Sequence, residues 1–305
     1  MAREDFLSIR DLSSDEIHGL LQKAIEIKAH PERYRDALRG KALAMIFEKP
    51  SLRTRVSFDV GIHQLGGFSI NLTPGEINLG KRESIHDVAM NLERMVQGIM
   101  IRTFGHGIVE EMALHAGIPV INGLTDFSHP CQALADYMTI LEVKGHLEGL
   151  KLAYVGDGNN VAHSLIYGAA LLGVNISVAT PDGYEPKASV VDWARGTIGS
   201  KACKLEVTRD PVAAARKADV IYTDVWASMG QEAEAAARKK IFEPYQVNRE
   251  LFSHAAPGAI FMHCLPAHRG DEVTADVIDS PRSVVFQQAE NRLHAQKAVM
   301  VDLMQ

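Results

Sequence analysis

Lys49-Pro50-Ser51-Leu52-Arg53-Thr54-Arg55 stands between an apolar run, Ala42-Leu43-Ala44-Met45-Ile46-Phe47, and a segment of helical period. The run reads as a buried strand. Beyond it, Leu52, Val56, Val60 and Ile62 recur at spacings of four, four and two, which predicts a helix with these residues on one buried side. Hydroxyls and guanidiniums therefore gather where a strand hands over to a helix N-terminus. Exposed backbone N–H groups and the helix dipole favour an anion there. Arginine adds planar, bidentate donors matched to phosphate oxygens. A capped, solvated helix start is the plainer reading of the same residues. The stretch is not a Walker loop, because it lacks that loop's glycines and its lysine–hydroxyl pair.

The 305 residues allow one large or two medium domains, and 46% apolar content suffices for a sizeable core. A net charge of −6 with scattered basic residues argues against a nucleic-acid partner. No apolar run reaches membrane-spanning length, so no membrane association is expected. Met1-Ala2-Arg3-Glu4-Asp5-Phe6 is charged and lacks a signal-peptide core. Cys131, Cys203 and Cys264 are odd in number and widely spaced. That argues against a disulfide framework and a zinc site, and fits a cytoplasmic protein.

Strands are predicted at 42–47, 68–72, 98–102 and 118–121, then at 151–155, 175–179, 204–207, 219–223 and 259–263, with helical patterns between most of them. This alternation predicts an α/β fold of two domains, each a parallel sheet flanked by helices. A boundary is expected near Lys144-Gly145-His146-Leu147-Glu148-Gly149, giving domains of 1–145 and 146–287. A helical segment at 289–304 follows a short apolar run at 283–286 and is expected to return to the first domain. Residues 232–240 read as an exposed helix and no more.

Ligands of parallel α/β sheets bind beyond the carboxyl ends of strands, so residues following strands carry the interest. Arg102 ends one strand, as either a ligand group or a salt-bridge partner. Ser128-His129-Pro130-Cys131-Gln132 follows another, with Pro130 suited to the first helical position. His129 and Gln132 are spaced to face one mouth and grip a carbonyl and an amide, though a capping histidine beside a surface glutamine fits too. Gly156-Asp157-Gly158-Asn159-Asn160 invites a dinucleotide reading, weakened because Val161-Ala162 stand where the pattern continues and no acidic residue ends the next strand. Asn159 and Asn160 alternatively suit a zwitterion. Asp224-Val225-Trp226-Ala227-Ser228-Met229-Gly230 suits an amine-bearing ligand, or else forms an Asx turn with Trp226 in the core. In His263-Cys264-Leu265-Pro266, adjacent side chains on extended backbone diverge, so His263 is a poor base for Cys264. A cis Leu265–Pro266 bond would turn a carbonyl toward a ligand. Arg292 is read as opening the last helix, where it needs a compensating anion, with Glu290 or a ligand in that role.

In this order the segments resemble the aspartate/ornithine carbamoyltransferase family across nearly the whole chain. Within that family, Asp224 followed by Ser228-Met229-Gly230, together with His263-Cys264-Leu265-Pro266, resembles the members that use ornithine. The resemblance implies transfer of a carbamoyl group from carbamoyl phosphate to L-ornithine, giving L-citrulline and phosphate, in arginine metabolism. It implies small-molecule substrates, a homotrimer or a multiple of trimers, and neither cofactor nor metal. By similarity, domain 1–145 with a helix at about 288–305 would bind carbamoyl phosphate, and domain 146–287 ornithine. Ser51, Leu52, Arg53, Thr54, Asn78, Arg102, His129, Gln132, Cys264, Leu265 and Arg292 would bind carbamoyl phosphate. Asn160, Asp224, Ser228 and Met229 would bind ornithine, with Arg102, His129, Cys264 and Asp224 acting in the reaction. Leu52 and Asn78 depart from the threonine and glutamine of many relatives; Leu52 would then serve through its backbone N–H. A carbamoyltransferase for aspartate, putrescine or acetylornithine, or a nicotinamide oxidoreductase, are the alternatives.

Overall fold

In the computed structural model, which describes residues 5–199, 203–227 and 232–305, the apolar runs become strands of two parallel sheets. Strands β1 (Ala42–Phe47), β2 (Phe68–Leu72), β3 (Gly98–Arg102) and β4 (Val120–Leu124) lie in the order β2-β1-β3-β4. Strands β5 (Lys151–Val155), β6 (Asn175–Ala179), β7 (Leu205–Thr208), β8 (Val220–Thr223) and β9 (Ile260–His263) lie in the order β7-β6-β5-β8-β9. The first sheet belongs to a compact unit of residues 1–138 and 290–305, the second to a unit of residues 139–289. The chain passes from one unit to the other within the helix Pro130–Lys144 and returns within the helix Val285–Met304. No helix among the described residues is long and apolar enough to cross a membrane.

Both strand orders reverse direction once. In the first sheet the reversal lies between β1 and β3, in the second between β5 and β8. At such a point successive connections leave to opposite faces of the sheet, and a crevice opens at the strands' carboxyl ends. Ser51 stands beyond the end of β1, Arg102 is the last residue of β3, and Gly156–Asn160 and Asp224 stand beyond β5 and β8.

Three expectations are corrected. Strand β4 is not 118–121 but runs on through Asn122-Gly123, residues that read as loop. Gly123 is tolerated because a Cβ there would collide with Met100 of β3. The C-terminal helix begins at Val285, so Arg292 lies two turns inside it rather than at its start. Thirdly, the stripe Leu52, Val56 and Val60 is not the buried side of the helix Leu52–Gln64. These residues are 73%, 50% and 39% exposed. The buried side is Thr54, Ser57, Phe58, Gly61 and Ile62.

That side is mostly small because the C-terminal helix docks on it. A Cβ at Gly61 would lie 3.0 Å from Met300 Cε and 3.3 Å from Lys297 Cγ. Lys297 Nζ donates to Gln64 Oε1 at 3.0 Å, and Lys28 Nζ donates to Asn291 Oδ1 at 2.8 Å. The helix thus returns to the first unit, held by close packing and by lysines bonded to amides. Gly61→Ala should be nearly neutral: the end of Met300 can shift, and alanine gains about 1 kcal/mol of helix propensity. Gly61→Leu should destabilise by about 1–3 kcal/mol through overpacking. Denaturant midpoints of the two variants check this, and equal midpoints would refute the close docking.

Candidate functional site

In the first unit the site begins at Ser51, the N-cap of the helix Leu52–Gln64. Its Oγ accepts from the Thr54 N–H at 3.2 Å and so caps the first turn. Arg53 is half-buried and Leu52 points its side chain outward. Thr54 is buried, and its Oγ1 accepts from Arg102 Nη1 at 3.3 Å and from Arg292 Nη2 at 3.1 Å. With both guanidiniums donating to this oxygen, the threonine proton is directed elsewhere. Phe47 of β1 and Arg102 of β3 are register partners, which brings Arg102 to the turn after β1.

Arg292 continues the network. Its Nη1 donates to Gln132 Oε1 at 2.6 Å, and Gln132 Nε2 donates to Asp136 Oδ1 at 2.8 Å. Gln296, its amide oriented to suit its neighbours, accepts from Arg292 Nη2 at 2.9 Å and Nε at 3.2 Å and donates to Ser57 Oγ. The anion compensating Arg292 is therefore not Glu290, whose carboxylate lies by His294 at 3.5 Å and Lys28 at 4.0 Å. Arg292 is linked through one amide to the buried carboxylate of Asp136.

His129 is buried one residue before the helix Pro130–Lys144. Burial, then the charges of Arg292, Arg102 and Arg53, hold its pKa well below the usual imidazole value. It is thus a neutral ring near neutral pH, able to donate one N–H but not to serve as a strong acid. Cys131, two residues on, is inert: burial lifts its thiol to about 12. Around this core Lys49 pairs with Asp126 and lies 4.3 Å over the Phe104 ring, and Thr103 bonds Glu48. These contacts tie together the loops after β1, β3 and β4. Asn78 stands apart. It is an exposed C-cap in left-handed conformation, with φ 49°, after the short helix Pro74–Ile77. Asparagine tolerates that conformation better than longer side chains do, which accounts for the residue type.

In the second unit Asp224 is the centre. Its Oδ1 accepts from the Val225 N–H at 2.8 Å and from Cys264 Sγ at 2.9 Å, and its Oδ2 accepts from Asn159 Nδ2 at 2.8 Å. Asn159 also caps the helix Asn160–Leu172, its Oδ1 accepting from the N–H groups of Val161 and Ala162 at 2.9 and 3.2 Å. Asn160 is the half-buried first residue of that helix. Trp226 is buried and stacks on Phe242. The placement of Trp226 is the one expected of a turn that sends this side chain into the core. Ser228 and Met229 lie outside the described residues. The Leu265–Pro266 peptide is cis and Leu265 has φ 59°. His263 does not address Cys264: its Nε2 faces Glu272 Oε1 at 3.2 Å and its Nδ1 accepts from the Leu265 N–H at 2.8 Å.

Sequence reasoning missed several of these partners. Asp136, Gln296 and Glu272 draw no notice in the sequence, and Asn159 is weighed there as a group for a zwitterion and not as a partner of Asp224. Arg238, in the segment read only as exposed helix, is buried and donates to Asp157 Oδ2 at 2.9 Å and to the Trp226 carbonyl at 3.0 Å. The single available signal was the N-cap position of Asn159 directly after a strand and a glycine turn.

The glycine turn does not favour a dinucleotide. A Cβ on Gly158 would collide with the backbone of Glu185 and Pro186, so the close approach the glycine permits is taken by the chain itself. Asp224, His263 and Cys264 are the grouping of metal-type donors among the described residues, their atoms within 4.8 Å of one another. Each of these atoms is already engaged, by one another or by Leu265, Glu272 and Asn159.

Comparison with known proteins matches the chain in two consecutive parts. Residues 4–142 match the carbamoyl-phosphate-binding domain of aspartate/ornithine carbamoyltransferases, and residues 148–303 match their aspartate/ornithine-binding domain. The chain is 58% identical to the ornithine carbamoyltransferase of Thermococcus kodakarensis, covering 100% of this chain and 97% of that one. It is 55% identical to the anabolic ornithine carbamoyltransferase of Pyrococcus furiosus over 100% and 97% of the two chains. The solved Pyrococcus furiosus enzyme superposes with a TM-score of 0.96 over 99% of this chain and 97% of that one. The Giardia lamblia ornithine transcarbamoylase, 35% identical, superposes with 0.90 over 99% and 98%. With both halves matched in order along the full length, the chain belongs to the aspartate/ornithine carbamoyltransferase family.

Proposed function

We propose that this chain transfers the carbamoyl group of carbamoyl phosphate to the δ-amine of L-ornithine, giving L-citrulline and phosphate. The observation that carries the reading is the convergence of Arg102 and Arg292 on Thr54, directly behind the Ser51-capped turn. Two guanidiniums, a threonine hydroxyl with its proton directed away from them, and helix-start N–H groups form a cradle for a phosphorylated carbonyl compound. The choice of ornithine rests on the names of relatives 55–58% identical over the full chain.

Carbamoyl phosphate is assigned to the unit of residues 1–138 and 290–305. The phosphate oxygens are placed on Ser51, Arg53, Thr54 and the Leu52 N–H, and the carbamoyl group on His129, Gln132, Arg102 and Arg292. Asn78 is given a lesser part, through whatever its exposed amide reaches. Attack on the carbonyl carbon creates an oxyanion. Arg102, Thr54 and neutral His129 are its donors, and a neutral ring suits this role because it donates without giving up its proton. Phosphate then departs into the turn that held it.

Ornithine is assigned to the unit of residues 139–289, on Asn160, Asp224, Ser228 and Met229, with Cys264 and the Leu265 carbonyl at the reacting amine. A free amine of this type has a pKa near ~10.4 and must shed a proton to attack. Asp224 unaided would favour the cation. Its oxygens, however, are already held by Cys264, Asn159 and the Val225 N–H, so we assign it to orient the amine, not to retain its proton. The proton leaves to phosphate or solvent.

Homotrimeric assembly is part of this proposal. Its support is the apolar stripe Leu52, Val56 and Val60 left exposed in the single chain, next to the edge strand β2 with Phe68 and Ile70 at 52% and 41% exposure. Exposed apolar surface of this kind marks an interaction site, and copies of the same chain are the proposed occupant. A cytoplasmic setting and a place in arginine metabolism complete the reading.

The purified chain should form citrulline from carbamoyl phosphate and ornithine, and do so poorly with aspartate, putrescine or acetylornithine. Arg102→Ala should lower turnover by about 10²–10³ with the fold intact; near-normal turnover would remove Arg102 from the oxyanion role. Replacing Ser228-Met229-Gly230 should impair ornithine use more than carbamoyl phosphate binding, and equal loss of both would undo that assignment. Light scattering should give three times the 33.4 kDa chain mass, or a multiple of it, and Val56→Lys should shift it toward monomer.

A further inference from the structure

Beyond β9 the chain turns sharply at Cys264-Leu265-Pro266, and one residue of the turn is unusual. Leu265 has φ 59°, a left-handed conformation uncommon for a non-glycine residue. Such a conformation persists only where surrounding contacts hold it. One such contact is the Leu265 N–H donating to His263 Nδ1 at 2.8 Å. Because Nδ1 accepts, it carries no proton, and the neutral ring must carry its proton on Nε2. Nε2 faces Glu272 Oε1 at 3.2 Å. Glu272 is buried, and the same oxygen accepts the His268 N–H at 2.6 Å. The backbone of His263 is held separately, its N–H donating to Gln288 Oε1 at 3.0 Å.

We propose that Glu272 is a positioning residue for the reaction. By accepting the Nε2 proton it commits His263 to the tautomer whose Nδ1 receives the Leu265 N–H. That bond fixes the peptide plane of Leu265, and with it the direction of the Leu265 carbonyl and the placement of Cys264 against Asp224. With the proton on Nδ1 instead, two donors would face each other and the turn would open. The inference rests on the reading that places the Leu265 carbonyl and Cys264 at the ornithine amine. Among the described residues, His268, exposed and 3.6 Å from the second oxygen of Glu272, is the other titratable group paired with this carboxylate.

The test uses the full chain with Glu272→Gln and Glu272→Leu. Glutamine keeps an acceptor oxygen for Nε2–H, so it should retain the tautomer and stay close to wild type. Leucine removes the acceptor. It should raise the KM for ornithine about 10- to 100-fold, the size expected for losing a buried bond to a charged group, while leaving the KM for carbamoyl phosphate nearly unchanged. A long-range proton–nitrogen NMR spectrum should place the His263 proton on Nε2 in wild type and Glu272→Gln, and shift part of it to Nδ1 in Glu272→Leu. If the leucine variant does not fold, Glu272→Asp, which withdraws the oxygen by one methylene, should show the same selective rise. Equal loss for both substrates, or an unchanged tautomer, would overturn the inference. Absence of citrulline formation by wild type would instead refute the ornithine reading, and the tautomer result would still stand or fall alone.

Discussion

A guanidinium 2% exposed to solvent sets the terms for the first unit. Burying a charge is costly unless hydrogen bonds replace its hydration. Arg292 meets that demand with oxygens from three places: Gln132 after β4, Thr54 after β1, and Gln296 one turn further along its own helix. Each of these must be in place for the others to be worth having. The C-terminal helix therefore cannot dock loosely, and Gly61 lets it come close enough for Arg292 to reach. The same constraint makes the site. An arginine held rigid by its neighbours, beside Arg102 and behind the Ser51 turn, is a positive field prepared before any ligand arrives, at no cost in reorganisation.

The second unit solves a different problem with similar means. There the buried charge is the Asp224 carboxylate, and its donors are a thiol, an amide and its own chain. Those donors are all neutral. They fix the carboxylate's direction without cancelling its charge. Asn159 serves twice, as helix cap and as clamp on Asp224, so the helix Asn160–Leu172 and the Asp224 loop are registered by one side chain. His263, which lies next to Cys264 in sequence, belongs to the support of the Leu265 turn and not to the chemistry of the thiol.

Strands and layers were legible in the sequence because a strand buried on both faces must be a continuous apolar run, and such runs at the sheet centres with helical patterns between them leave few architectures. Residues placed after strands were legible for the same reason: Ser51, Arg102 and Asp224 follow from topology. Helix faces were not. Leu52, Val56 and Val60 have the spacing of a buried stripe, and periodicity says only that one side is apolar. It does not say whether a core or another molecule covers it. Strand ends in Asn122-Gly123 were hidden because the fitness of glycine there depends on Met100 in a neighbouring strand.

The sequence by itself determined the class of fold, the order of the segments, the anion-favouring turn after β1 and the family to which these belong, because all of these are written in local composition and spacing. The tertiary structure alone decided which groups meet. It brought Arg292 across more than two hundred residues to Thr54, bound Asn159 to Asp224, gave Asp157 the partner Arg238, and set Glu272 behind His263. These pairings depend on where strands and helices come to lie. Burial also decides what the paired groups can do: a histidine with an ordinary local sequence becomes a neutral donor because it is buried among three arginines.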